Sequence, residues 1–233
     1  MLVQTLYGLR NKGIYMKEVN GWFIPDEDTP GNLKMVLENN FQCENGLTRA
    51  FNYVQKFDNA IDVGSWIGDS TVIIANKFKK VEVFEPIDTV AECCIKNLNT
   101  RKIDNFNLYK IGLSNKKGQQ NFINKGKTFS GWISTVDSVS SKKLKIIETD
   151  ILDNFNFINI DFIKIDVDSH EGFLLQGALN FFKNNNPVIM IESKLKDQQK
   201  YQDKSMPDPL TFLEKLGFKI KEKLGKADYI LTR

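Results

Sequence analysis

Asp166, Asp168, His170 and Glu171 fall within six consecutive positions of the stretch IKIDVDSHEG, and His170 is the only histidine of the chain. An imidazole titrates near neutral pH, so His170 could remove the proton of a reacting hydroxyl, with Asp166 and Asp168 beside it on the same acceptor side. A purely local role competes with this. Asp168-x-x-Glu171 ahead of an apolar helix is a carboxylate form of a capping box, and acids are favoured at a helix N-terminus. Asp166-x-Asp168-x-His170 also offers oxygen and nitrogen ligands to a divalent metal such as Mg²⁺ or Mn²⁺. Alternate positions of an extended segment point to opposite faces, which makes metal the weaker reading. Further on, IMIESK carries Glu192 and Lys194, and a lysine there could lower the pKa of an attacking hydroxyl.

A second group lies in AIDVGSWIGDS (60–70), where Gly64-x-x-x-Gly68 follows an apolar run with Asp62 before it and Ser65 and Trp66 inside it. A glycine turn between a strand and a helix is a place to hold a nucleotide. The dinucleotide pattern G-x-G-x-x-G needs its second glycine where Trp66 stands, and a side chain of that size keeps a pyrophosphate off the backbone. NAD and FAD are therefore disfavoured, and with them an oxidoreductase. No Gly-Lys-Ser/Thr follows, so the turn is not a P-loop. About twenty positions on, VEVFEP ends a second apolar run with Glu85 and Pro86. A carboxylate there can accept both ribose hydroxyls of an adenosine, at roughly 1.5–3 kcal/mol per bond. An adenosine site without a pyrophosphate site suits S-adenosylmethionine.

These residues need a scaffold that brings several strand ends together. From Ala60 onward, apolar runs alternate with helical patterns, the order of a parallel sheet with crossover helices. The strands are expected at AIDVG, VEVFE, FNLYKIGL, DFIKID and PVIMIES. Helices are expected over DSTVIIANKF, with Asp69 as N-cap, over IDTVAECCIKNLN, opened by Asp88, and over EGFLLQGALNFFK. Residues 115–150 lack helical periodicity and read as hairpin or loop. DPLTFLEKLG reads as a helix, and FKIKEK with KADYILTR as an antiparallel hairpin. Residues 1–59 differ in character: GWFIPDEDTPGN is dense in turn residues, and LTRAFNYVQKF looks like a short amphipathic helix. They are expected to form a cap that does not fold alone on the domain of residues 60–233.

The 233 residues are 41% hydrophobic, enough for a real core, and the net charge of +3 comes from scattered lysines without a basic block. Arginine, whose fork most nucleic-acid readers use, is scarce. No apolar run reaches the ~18 residues of a membrane helix, and MLVQTLYGLRNKG lacks the apolar core of a signal peptide. Cys43, Cys93 and Cys94 form neither a disulfide framework nor a metal pair, and Cys94 falls in an apolar helical row. Together these point to a soluble chain in the reducing cytoplasm.

At these residues the chain resembles the FkbM-type branch of the class I S-adenosylmethionine methyltransferases, over most of residues 60–192. The family's D-x-G-A-N-x-G is matched by Asp62, Gly64 and Gly68, with Ser65 and Trp66 in place of Ala and Asn. Its acidic strand end is matched by VEVFEP, and its A-L-S-D is similar to GLSN (112–115), which contains Ser114. Its I-K-I-D-V-E-G-x-E and L-x-G-A resemble IKIDVDSHEGFLLQGA, with Asp168 for Glu and Ser169 for Gly. The resemblance implies an α/β, Rossmann-like seven-stranded methyltransferase sheet with helices on both faces. It also implies methyl transfer to the oxygen of a sugar, glycolipid or other small hydroxylated acceptor. The cofactor set is then Asp62, Gly64, Ser65, Trp66, Gly68, Glu85, Pro86, Ser114 and Asp166, and the catalytic set His170, Asp166, Asp168 and Lys194. Two rivals remain: a nucleic-acid 2′-O-methyltransferase built on Asp166, Lys194 and Glu192, and a module that binds the cofactor without catalysis.

Overall fold

The structure is a computed structural model that describes residues 15–26, 28–41, 43–124, 131–134, 144–194 and 204–233. Five apolar runs form parallel strands: β3 (Asn59–Val63), β4 (Lys80–Phe84), β5 (Phe106–Tyr109), β10 (Phe162–Ile165) and β11 (Val188–Glu192). The terminal hairpin adds β12 (Lys219–Leu224) and β13 (Asp228–Thr232), giving a seven-stranded sheet in the order β12-β13-β11-β10-β3-β4-β5. Only β13 runs against the others. The order reverses between β3 and β10, so the carboxyl ends of these strands open a crevice between loops that diverge.

Side chains alternate across the sheet and feed two cores. Ile61, Val63, Ile163, Ile165, Ile189 and Ile191 face α5 (Glu171–Gln176), α6 (Leu179–Asn184) and α7 (Pro209–Lys215), packing on Leu174, Leu175, Phe182 and Leu213. On the opposite face Ala60, Val81, Val83, Phe162 and Met190 pack on α2 (Cys43–Phe51), α3 (Asp69–Ala75) and α4 (Asp88–Thr100) through Leu47, Ile74, Cys94 and Leu98. Each of the buried Val, Leu, Ile, Phe and Met side chains among these contributes about 1.5–3 kcal/mol relative to exposure. Cys93 and Cys94 are both fully buried.

Three expectations need correction. The run FNLYKIGL does not continue as one strand: it ends at Tyr109, and Gly112–Leu113 restarts as β6 in another sheet. The helix expected over 171–183 divides at Gly177, where a Cβ would lie 2.0 Å from the Ser114 carbonyl oxygen, so this backbone is pressed against the β6 segment. Asp69 is not an N-cap: Gly68 holds that position at φ 89°, and Asp69 is the first helical residue.

Within 115–150 the described residues 115–124, 131–134 and 144–150 include three paired strands, and the rest of that stretch lies outside the described residues. β7 (Gly118–Asn124), β8 (Gly131–Ser134) and β9 (Leu144–Asp150) join β6 in a four-stranded sheet of order β6-β9-β7-β8. The N-terminal part supplies a hairpin, β1 (Met16–Val19) and β2 (Trp22–Pro25), and the helix α1 (Pro30–Leu37), N-capped by Thr29. Asn97 of α4 fixes this cap much as a neighbouring strand would. Its Oδ1 accepts from Phe23 N at 2.7 Å, while its Nδ2 donates to Phe23 O at 2.8 Å and to Ile67 O at 2.9 Å. Arg101 lies over the Trp22 ring at 3.7 Å. Among the described residues no helix is long and apolar enough to cross a membrane.

Candidate functional site

The β3 turn closes because Gly64 can do what no other residue could. Its φ is 79°, and a Cβ placed on it would lie 1.8 Å from the Asp166 carbonyl oxygen. The turn is further pinned by Gly64 N and Ser65 N, which donate to Phe84 O at 3.0 and 3.3 Å, and by Gly68 N, which donates to Ser65 O at 2.8 Å. Trp66 adopts a positive φ of 48°, uncommon for a bulky residue. Its indole is partly buried and packs against a hydrophobic cluster to which the N-terminal part contributes Ile24 and Val36.

Glu85, just beyond β4, is buried. Its Oε2 accepts from Trp66 N at 3.2 Å and its Oε1 from Ile87 N at 3.0 Å. Those two bonds fix the carboxylate while each oxygen keeps a further lone pair for a donor. Burial pushes its pKa up to about 8, against the lowering effect of the two backbone N–H groups.

A cavity of about 340 Å³ opens between these parts, within the size range of small-molecule sites. Gly64, Trp66, Glu85, Pro86, Asp166, Asp168 and Lys194 line it, so seven of the sequence candidates are brought together. The cap contributes Asn32 and Met35, and the second sheet contributes Phe122 and Ile133.

The remaining candidates are placed elsewhere. Asp62 is fully buried on the α3 side of the sheet: its Oδ2 accepts from Ser70 Oγ at 2.8 Å and Thr71 Oγ1 at 2.7 Å. Ser65 turns its hydroxyl to Cys94 Sγ at 3.7 Å, and Gly68 serves as the α3 cap. Ser114 and His170 face each other behind the cavity wall, Oγ to Nε2 at 2.9 Å. Gln120 Nε2 donates to Ser114 Oγ at 2.7 Å, and the Ser114 hydroxyl also lies 3.4 Å from Asn115 Oδ1. His170 is fully buried, packs on Phe173 at 5.3 Å between centroids, and does not line the cavity. The expected capping box is replaced by another arrangement: Glu171 is the first helical residue and its Oε1 accepts from Val167 N at 3.2 Å and Ser169 N at 3.1 Å, while the N-cap position is His170, with no side-chain cap bond. Asp168 (φ 49°) and Ser169 (φ 79°) are both left-handed, which bends the chain so that Asp168 reaches the cavity and His170 does not. His170 therefore diverges from Asp166 and Asp168. Among the described residues no group of three or more His, Cys, Asp or Glu side chains could hold a metal ion.

Lys164 was not singled out by the sequence reading. It is nearly fully buried, with Nζ 3.6 Å from Asp62 Oδ1, 3.4 Å from Asp166 Oδ2 and 3.3 Å from Gly64 O. Burial works against its charge, but Asp166, Asp62 and Asp69 together raise its pKa above the ordinary value. A lysine inside the otherwise apolar strand FIKI was the available signal, since buried parallel strands read as continuous apolar runs. Glu192, at the end of β11, also lines the cavity and is ion-paired with Lys194 at 2.7 Å.

The Methyltransferase FkbM domain model matches residues 62–220. Among solved structures, the chain is similar to the methyltransferase FkbM of Methylobacillus flagellatus KT, with 15% identity and a TM-score of 0.55 over 86% of this chain and 52% of that one. It thus spans about half the length of that protein. It is also similar to the candidate methyltransferase yhhF of Escherichia coli, at 13% identity and a TM-score of 0.52 over 91% of each chain. A structure of SMU.1697c from Streptococcus mutans in complex with SAH matches at 12% identity and a TM-score of 0.49, over 82% of this chain and 97% of that one. No curated protein matches the chain. The first two likenesses show the class I methyltransferase fold, and the family match, which spans the glycine turn, Glu85 and the β10–β11 strand ends, shows that the chain belongs to the FkbM methyltransferase family.

Proposed function

We propose that the protein transfers a methyl group from S-adenosylmethionine to a hydroxyl oxygen of a sugar, glycolipid or other small hydroxylated metabolite. The observation that carries the cofactor half is Glu85. A buried carboxylate with spare acceptor capacity, fixed by Trp66 N and Ile87 N, borders a cavity of about 340 Å³. A pair of ribose hydroxyls supplies the donors it lacks and so favours its ionised form over the protonated one that burial promotes, at roughly 1.5–3 kcal/mol per bond once ionised. Gly64 gives the close backbone approach, and Trp66 and Pro86 complete the wall. Asp62 acts indirectly, by holding the start of α3 through Ser70 and Thr71.

When bound, S-adenosylmethionine supplies an electrophilic methyl on a sulfonium. The chain's own residues must then align the acceptor, exclude water and take a proton. Asp166, Asp168 and Lys194 stand at the strand ends where an acceptor would meet that methyl, and we assign them to its positioning. His170 and Ser114 support that wall from behind.

Incubation of the protein with methyl-labelled cofactor and a metabolite extract, followed by mass spectrometry, tests the reading. Label on an ether oxygen of a small hydroxylated product is expected. Label confined to nitrogen, carbon or RNA would refute it.

A further inference from the structure

A second cavity, of about 490 Å³, lies on the α2 side of the β10 and β11 strand ends and under the β12–β13 turn. Asp166, Glu192 and Lys194 line both cavities, so the two chambers share a charged wall. Glu192 is the member of that wall with an unmet need. Its Oε1 holds Lys194 at 2.7 Å, whereas its Oε2 is buried without a hydrogen-bond partner. A buried acceptor left unpaired costs about 1–3 kcal/mol, so its persistence calls for a donor that arrives with a ligand. We propose that the second cavity is the acceptor chamber and that Glu192 is the base that takes the hydroxyl proton. The proposal rests on the cofactor reading of the first cavity.

The step balances without any other reactant. The acceptor oxygen bonds to the methyl carbon as the carbon–sulfur bond breaks, and that electron pair returns to sulfur. The hydroxyl proton passes to the Glu192 carboxylate. A sulfonium and a carboxylate thereby become a thioether and a carboxylic acid.

The lining identifies the class of acceptor. Asp166 and Glu192 are ion-paired with Lys164 and Lys194, and the lining Arg49 is held by Glu222, so among the described residues the wall offers no cluster of uncommitted cations. A phosphate-rich strand needs such a cluster to neutralise its charge. An uncharged polyol does not, because each hydroxyl both donates to and accepts from paired groups. Asn45 and Lys226 supply donors at the rim, and Met190 and Leu224 give an apolar floor for the carbon face of a sugar ring. Burial, then Asp166, push the Glu192 carboxyl up to about 7, against Lys194 two residues beyond the strand end; Asp168 beyond β10 adds to the rise, and Asp228 is its register partner on β13. Its ionised form therefore gains population as pH rises through the neutral range.

Glu192→Gln, which keeps size, and Ala227→Trp, which fills only the second cavity, test this with methyl hexopyranosides as acceptors and labelled cofactor. Calorimetry with S-adenosylhomocysteine and a thermal midpoint accompany each variant. For the wild type, transfer rising between about pH 6 and 8 is expected. Glu192→Gln should lose about 100-fold or more in kcat together with that pH dependence. Ala227→Trp should raise the sugar KM by at least about tenfold with cofactor affinity within about threefold of wild type. Should the tryptophan variant not fold, the Glu192→Gln pH profile decides alone. A wild-type pH profile in Glu192→Gln, an unchanged KM in a folded Ala227→Trp, or cofactor binding with no transfer to any sugar would overturn the acceptor chamber. Absence of S-adenosylhomocysteine binding by the wild type would instead overturn the cofactor reading, and this proposal with it.

Discussion

Gly64 and Asp166 meet backbone to backbone at the carboxyl ends of β3 and β10, so closely that a Cβ on the glycine would stand 1.8 Å from the aspartate's carbonyl oxygen. This approach joins the cofactor turn to the acceptor-side loop. Gly64→Ala must both adopt a φ of 79° and push β10 away. We expect a loss of about 3 kcal/mol or more in urea unfolding, beyond the ordinary glycine-to-alanine change. A variant within about 1 kcal/mol of wild type would mean the two turns can separate at little cost.

Lys164 sits under that junction, between Asp62 and Asp166. Lys164→Met leaves Asp62 buried and without its counter-charge. A destabilisation of about 3–5 kcal/mol is expected by chemical denaturation, with most of it absent in a Lys164→Met, Asp62→Asn double variant. Additive single effects would argue against the pairing.

His170 occupies a buried network with Ser114 and Gln120. His170→Ala removes a packed ring and leaves Ser114 Oγ short of a partner, so a loss of about 2–4 kcal/mol in stability is expected. Cofactor affinity per folded molecule should hold. A fully stable His170→Ala with lost turnover and an altered pH profile would restore it as the base.

Glu85 carries a signature in pH. Burial raises its carboxyl from an ordinary 4.5 to about 8, so between those values the folded chain retains a proton that the unfolded chain has released. This group's contribution is fully present below the unfolded value and declines as pH rises through the window, by at most about 1.4 kcal/mol per pH unit. Glu85→Gln removes that titration. The stability difference, variant minus wild type, should therefore grow between pH 5 and 8. A difference that is flat with pH would contradict the burial of an ionisable Glu85.

Much of this architecture could be read from spacing, because parallel strands and crossover helices each bury a regular face. Strands β3, β4, β10 and β11 are predominantly apolar for that reason, and Glu85 follows directly at the end of one of them. Gly64 was legible because an αL turn leaves few alternatives. What sequence could not resolve was side-chain direction at bends. Asp168 and Ser169, both at positive φ, turn His170 inward, and nothing in the residue types of DSHEG encodes that. Asp62 illustrates the same limit: its place on β3 fixes its face, and that face carries Ser70 and Thr71 instead of the cavity. The walls from α1, Phe122 and Ile133 come from segments far apart in the chain, so no local pattern announces them.

Calorimetric titration of the wild type and of Glu85→Ala with S-adenosylhomocysteine tests the central claim most directly. The account predicts saturable one-to-one binding by the wild type and an affinity lower by about 2–4 kcal/mol in the folded variant, as expected for two hydroxyl bonds to one carboxylate. No binding by the wild type at millimolar ligand, or equal affinity in the two proteins, would contradict it.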